Sequence, residues 1–211
     1  MRRVLVSGPS RRVLRWVRHA LFATAALLLG YCAFSVGDAW LFQWRESRHL
    51  ALLLKNHAAA SGAAPRESSS TAPQLAPAIA ADGLIGRLEI PRLLLSAVVV
   101  EGVDKTTLRR AVGHIPGTAL PGQPGNVGLA GHRDSFFRPL KDVRLKDQVQ
   151  FSTLRGNFTY EVISQTVVEP SDVGVLAPTR ENVLTMVTCY PFYYVGPAPK
   201  RFIVRARQVV R

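Results

Sequence analysis

Hydropathy divides the chain into an apolar, helix-like first quarter and a second half that alternates. Residues 20–37 carry no charged side chain, and a run of that length crosses a bilayer as a helix. Val13, Leu14, Trp16 and Val17 extend it on one side, and Trp40, Phe42 and Trp44 offer interfacial aromatic anchors on the other. Residues 38–57 keep a helical spacing of large apolar positions, among them Leu41, Trp44, Leu50 and Leu53. Residues 58–82 then turn to Ala, Ser and Pro with almost no large side chains. Such a stretch cannot build a core and reads as a flexible tether.

From residue 83 the period changes. Residues 84–90 alternate in their second half and stop at Pro91, as a half-buried strand does. Residues 95–101 contain the β-branched run Val98, Val99, Val100. Residues 106–112 show the only clear helical pattern of this region, ended by Gly113. Further strand patterns cover residues 126–131, 147–152, 158–168, 183–189 and 201–208. About eight short strands separated by turn signals predict an all-β barrel or sandwich. The chain therefore divides into a basic segment (1–19), a membrane helix (20–37), a juxtamembrane helix with linker (38–82) and a folded domain (83–211).

Charge changes the picture only once it is located. The net charge of +13 suggests nucleic acid at first sight, but six arginines lie before residue 20 with no acid among them. A basic flank followed by an apolar run is a topology signal, and no nucleic-acid motif accompanies it. The positive-inside rule puts the N-terminus in the cytoplasm and the domain outside, on a single-pass anchor contacting membrane lipid through residues 20–37. A cleaved signal peptide is the rival, but its apolar core would be shorter, and Ala33, Phe34 and Ser35 fit a cleavage site only loosely. Cys32 reads as a small apolar residue in the helix, since Tyr31 before it is too large for a lipoprotein signal.

That leaves Cys189 as the one thiol in the folded domain, at the end of an apolar strand and before Tyr190 and Pro191. A thiol with an ordinary pKa of about 8.5 is mostly protonated at neutral pH and needs a base or cation to become a nucleophile. The domain has two histidines, His114 and His132. His132 is favoured because it ends a strand in the polar cluster Gly131, His132, Arg133, Asp134; a surface or turn role is open to either. Arg201 opens the strand after Cys189, so an antiparallel pairing would bring the two together. Arg205 and Arg207 alternate with Val204 and Ala206 and are expected to face water. His49 and His57 have no evident co-ligands and read as solvated helix positions. No His/Cys cluster has metal-ligand spacing, and the acids of the domain are scattered, so no metal or other cofactor is expected.

Three segments carry a family resemblance. Thr185, Met186, Val187, Thr188 and Cys189 resemble the Thr-Leu-x-Thr-Cys signature of sortases, with Met186 in place of the usual Leu. Residues 128–133 are similar to the family's histidine strand and residues 200–204 to its arginine strand, in the family's order. The Cys-Tyr-Pro-Phe continuation and the Gly-His-Arg-Asp cluster look most like class D sortases. The resemblance implies an eight-stranded β-barrel with short helices and a cleft holding His132, Cys189 and Arg201. It implies a cysteine transpeptidase that cuts a Leu-Pro-x-Thr-Gly-like C-terminal sorting signal on secreted or membrane-anchored proteins. A thioacyl intermediate on Cys189 would then pass to an amine acceptor. Thr188, beside the thiol, is a candidate substrate contact at the oxyanion. Two other readings fit the same residues: a non-catalytic envelope barrel that binds peptide, and a cysteine peptidase that releases the acyl group to water.

Overall fold

The computed structural model describes residues 11–62, 79–80 and 82–209. The tether expected over 58–82 falls mainly outside the described residues, as do Arg2 and Arg3. The chain divides into two compact units, residues 1–40 and 41–211.

Helix α1 (Arg11–Gly62) is continuous, and its stretch Arg12–Leu53 is long and apolar enough to cross a membrane. In the first unit the large apolar side chains of α1, such as Trp16, Phe22 and Leu27, are exposed. The helix runs past residue 57, where the sequence suggested that the tether begins. Ala58, Ala59 and Ala60 are strong helix formers, and the helix ends at Gly62.

The second unit is a closed barrel of eight strands. These are β1 (Leu84–Ile90), β2 (Leu95–Glu101), β3 (Val112–His114), β4 (Asn126–Ala130), β5 (Gln148–Thr153), β6 (Gly156–Val168), β7 (Val183–Tyr190) and β8 (Lys200–Gln208). Around the barrel they run β1-β2-β3-β4-β7-β8-β6-β5. The barrel closes where β1 pairs antiparallel with β5, while β2–β3 and β4–β7 are parallel pairs. The short helix α2 (Lys105–Arg110) is capped by Asp104, whose side chain accepts from the backbone N–H groups of Thr106 and Thr107.

Period-two alternation fills the interior. Leu88 and Ile90 of β1, Leu184 and Met186 of β7, and Val204 and Ala206 of β8 all enter the main core. A second cluster lies outside the barrel wall, where Leu50 of α1 is buried with Leu84, Val98, Val100 and Ala111. Gln43 ties the same helix to the wall, accepting from Val98 N (2.9 Å) and donating to Arg110 O (2.7 Å). The juxtamembrane part of α1 therefore belongs to the barrel unit.

A bidentate pair braces the β1–β5 side. Arg92, in the turn after β1, donates from Nε and Nη2 to the two carboxylate oxygens of Asp147 and from Nη2 to Asp142 O (2.7 Å). Asp147 also accepts from Arg144 N (2.8 Å). The Arg92 guanidinium holds the Asp147 carboxyl below its ordinary value of 3.8, against the opposing effect of burial. A depressed carboxyl pKa contributes stability above the unfolded value, and that contribution is lost as pH falls through the folded one. Asp147→Asn should therefore destabilise the barrel at pH 7, with a penalty that shrinks below about pH 4. Denaturant titrations of both proteins at pH 7 and pH 3 measure it; equal penalties at the two pH values would contradict this account.

Candidate active site

The site is set by the ladder on either side of β7. Parallel pairing of β4 with β7 matches Ala130 to Val187. The two strands continue together for one further residue, where Gly131 N donates to Val187 O (3.2 Å). Two residues beyond the last pair stand His132 and Cys189. On the other side, the antiparallel β7–β8 register places Cys189 directly opposite Arg201. Directly opposed residues project to the same face of a sheet. Cys189 and Arg201 thus stand side by side on one face, as the sequence anticipated, and His132 follows two residues past the end of β4, the neighbour of β7 on the other side.

Alternation also says which face this is. Leu184, Met186 and the buried Thr188 point inward, so Cys189 shares the outer face with Val183, Thr185 and Val187. The Thr185 hydroxyl on that face donates to Asn126 Oδ1 (2.7 Å). Asn126 in turn donates to Val175 O (3.1 Å) and Ala177 O (3.2 Å), fastening the segment between β6 and β7 over the sheet. Cys189 is a free, half-buried thiol, and His132 is exposed. Gly128 and Gly131 keep the β4 end slim: a Cβ on Gly131 would lie 2.7 Å from the Phe137 ring.

The Arg201 guanidinium donates to Ala198 O (3.3 Å) and Lys200 O (3.0 Å). It is held by the backbone of the β7–β8 loop rather than by a carboxylate. Beneath the loop, Tyr190, Phe192 and Phe202 form an aromatic cluster with centroid separations of 5.3–6.2 Å. The Tyr190–Pro191 peptide bond is cis.

Thr188 is placed differently from the expectation. It is 2% exposed and its hydroxyl donates to Gly131 O (2.7 Å). It fastens β7 to the residue before His132 and does not open to the outer face. The adjacency to Cys189 that suggested a substrate contact is what turns it away, because neighbours on a strand face opposite sides. Arg205 also departs from the expectation of a water-facing side chain. It shares the face of Cys189, opposite Thr185, and its Nε is buried without a hydrogen-bond partner.

His114 lies in β3, 2% exposed. Its Nδ1 meets Glu101 Oε2 (2.7 Å), and its Nε2 meets Ala119 O (3.0 Å) and Thr118 Oγ1 (3.0 Å). Both nitrogens are occupied by protein partners, which leaves neither for a substrate. His49, read from sequence as unaccompanied, stands 3.0 Å from Asp82 and 3.8 Å from Glu46. Ligand atoms of these three residues lie within 4.8 Å of one another, the one grouping among the described residues that metal coordination could use. Asp82 lies 33 positions from His49 in the chain, so no local spacing announces the trio.

Arg133 was legible only as part of a polar cluster. Its Nη1 donates to Pro191 O (3.0 Å), and its Nη2 to Tyr194 O (2.7 Å) and Gly196 O (3.0 Å).

Comparison with known proteins agrees with the geometry. The sortase domain model matches residues 88–209. Sortase D of Bacillus subtilis is 38% identical over 125 residues, which are 59% of this chain and 63% of that protein; the chain thus spans less than two thirds of that relative's length. A Clostridium perfringens Sortase D5 transpeptidase superposes with a TM-score of 0.55 at 31% identity, covering 61% of this chain and 79% of its own. Sortase C-1 from Actinomyces oris superposes with a TM-score of 0.58 at 26% identity, covering 78% of this chain and 99% of its own. The chain belongs to the sortase family, and its features are like those of class D members.

The two domain histidines should separate by experiment. His114→Gln should cost about 1–3 kcal/mol of stability, because it strips a buried hydrogen-bonded group. It should leave alkylation of Cys189 by iodoacetamide within about twofold of wild type. His132→Gln should do the reverse, with little effect on unfolding and a changed alkylation rate. The opposite assignment of effects would remove His132 from the site.

Proposed function

We propose that this protein is a membrane-anchored cysteine transpeptidase. It would cleave a Leu-Pro-x-Thr-Gly-like sorting signal and pass the acyl group to an amine. The observation that carries the reading is Cys189 directly opposite Arg201 in a sortase barrel, with His132 two residues past the end of the strand on the other side of β7.

The chemistry follows from those three groups. The Cys189 thiolate attacks the carbonyl carbon of the substrate Thr, and the negative charge passes to the carbonyl oxygen. Arg201 holds the bound substrate or that oxyanion by charge. The Thr–Gly bond breaks as His132 gives a proton to the leaving amine, and a thioester remains on Cys189. An incoming amine then attacks the thioester carbonyl, loses its proton to His132, and displaces the thiolate. The thioester keeps the acyl group activated, so the new amide forms without ATP. Thr188 serves as a strut that keeps the His132 and Cys189 strand ends together.

The anchor complements this chemistry. Residues 20–37 would cross the membrane with the arginine-rich segment in the cytoplasm and the barrel outside. Substrates retained in the same membrane by their C-terminal segments then meet the enzyme at a high effective concentration.

Cys189→Ala should reduce kcat/KM for a sorting peptide by at least about a thousandfold, and His132→Ala by at least about a hundredfold. The wild-type pH profile of kcat/KM should be bell-shaped, since one group must be deprotonated and another protonated. Adding a nucleophilic amine should convert the acid product to an amide. Undiminished cleavage by Cys189→Ala would end the proposal, and an acid product at every amine concentration would reassign the protein as a peptidase.

A further inference from the structure

The β7–β8 loop, residues 191–199, links the strand of Cys189 to the strand of Arg201. It contains Pro191, Pro197 and Pro199, each lacking an N–H. Among the described residues its one hydrogen-bonded turn is at 192–193. A loop so poor in its own donors needs another source for its carbonyls. Arg133 is that source, reaching Pro191 O, Tyr194 O and Gly196 O with one guanidinium. Its Cζ also lies 5.8 Å from the Tyr194 ring centroid. A second grip comes from the turn after Arg133. Arg138 and Lys141 stand 5.7 Å and 5.8 Å from the ring of Tyr193, which is itself largely exposed.

The loop then passes its conformation on. Its Ala198 O, with the adjoining Lys200 O at the start of β8, receives the Arg201 guanidinium. A chain of contacts therefore runs from Arg133, next to His132, through the loop backbone, to Arg201, opposite Cys189. We propose that Arg133 is a positioning residue of the transpeptidase site, clasping the β7–β8 loop and through it setting where the Arg201 guanidinium stands. The inference rests on the transpeptidase reading for its effect on turnover, but the clasp itself does not. The geometry requires a fork: three carbonyls in different directions suit a planar guanidinium and not a point charge. Lysine at this position keeps the charge and loses the clasp.

Arg133→Met and Arg133→Lys test the inference in the full-length protein, the second variant guarding against a simple loss of charge. Chymotryptic cleavage after Phe192, Tyr193 or Tyr194 in the folded protein should speed up at least about tenfold in both, while cleavage elsewhere in the barrel stays unchanged. For a sorting peptide, kcat/KM should fall by about ten- to a hundredfold in both. In an Arg201→Lys background the same change at Arg133 should cost less than about threefold, because residues acting through one another are not additive. Unchanged loop cleavage would overturn the clasp. A full loss that persists in the Arg201→Lys background would overturn the route through Arg201. Wild-type protein inert toward sorting peptides would instead strike the transpeptidase reading and the turnover claim with it, with loop cleavage still judging the clasp alone.

Discussion

Everything at the site depends on the register of β7 between a parallel and an antiparallel neighbour. Pairing with β4 aligns the strand ends that lead to His132 and Cys189, and pairing with β8 sets Arg201 across from the thiol. A one-residue slip would exchange the two faces of β7, turning Cys189 into the core and Leu184 and Met186 out of it. The core side chains thus aim the nucleophile outward as well as holding the barrel. The inward Thr188 makes the link explicit, since its hydroxyl crosses to Gly131 O at the point where the β4–β7 pairing ends.

The second constraint is on cations. Arg133 and Arg201 are held by main-chain carbonyls of the β7–β8 loop, with no carboxylate among their hydrogen-bond partners. An arginine bound to carbonyls keeps its full charge unneutralised by a partner anion, as the oxyanion role proposed for Arg201 would require. By contrast, Arg92 on the far turn is matched to Asp147 and serves the barrel alone. Arg92 has both a carboxylate and a carbonyl as partners, whereas the hydrogen-bond partners of Arg133 and Arg201 among the described residues are carbonyls.

The strands were legible from period-two patterning because each is long enough to show two or three inward residues. Strand β3 was not, having three residues directly behind a helical pattern. Its invisibility left His114 open as an alternative base, although Val112, Gly113 and His114 are all buried. The pairing of Cys189 with Arg201 was readable from the order of the strands and their ends. The orientation of Thr188 was readable too, since alternation alone turns it from the face of its neighbour. Contacts between distant segments were not readable: Leu50 on the barrel wall, Arg133 on the loop carbonyls and Asp82 beside His49 each depend on the closed fold.

The central claim is that the sulfur of Cys189 carries the acyl group between two amines. Intact-mass spectrometry of the full-length protein mixed with a Leu-Pro-x-Thr-Gly peptide, quenched in acid, tests it most directly. The account predicts an adduct equal to the peptide through its Thr, located on Cys189, discharged by hydroxylamine and absent from Cys189→Ala. Peptide cleavage that proceeds with no adduct on Cys189, and equally well without the thiol, would contradict it.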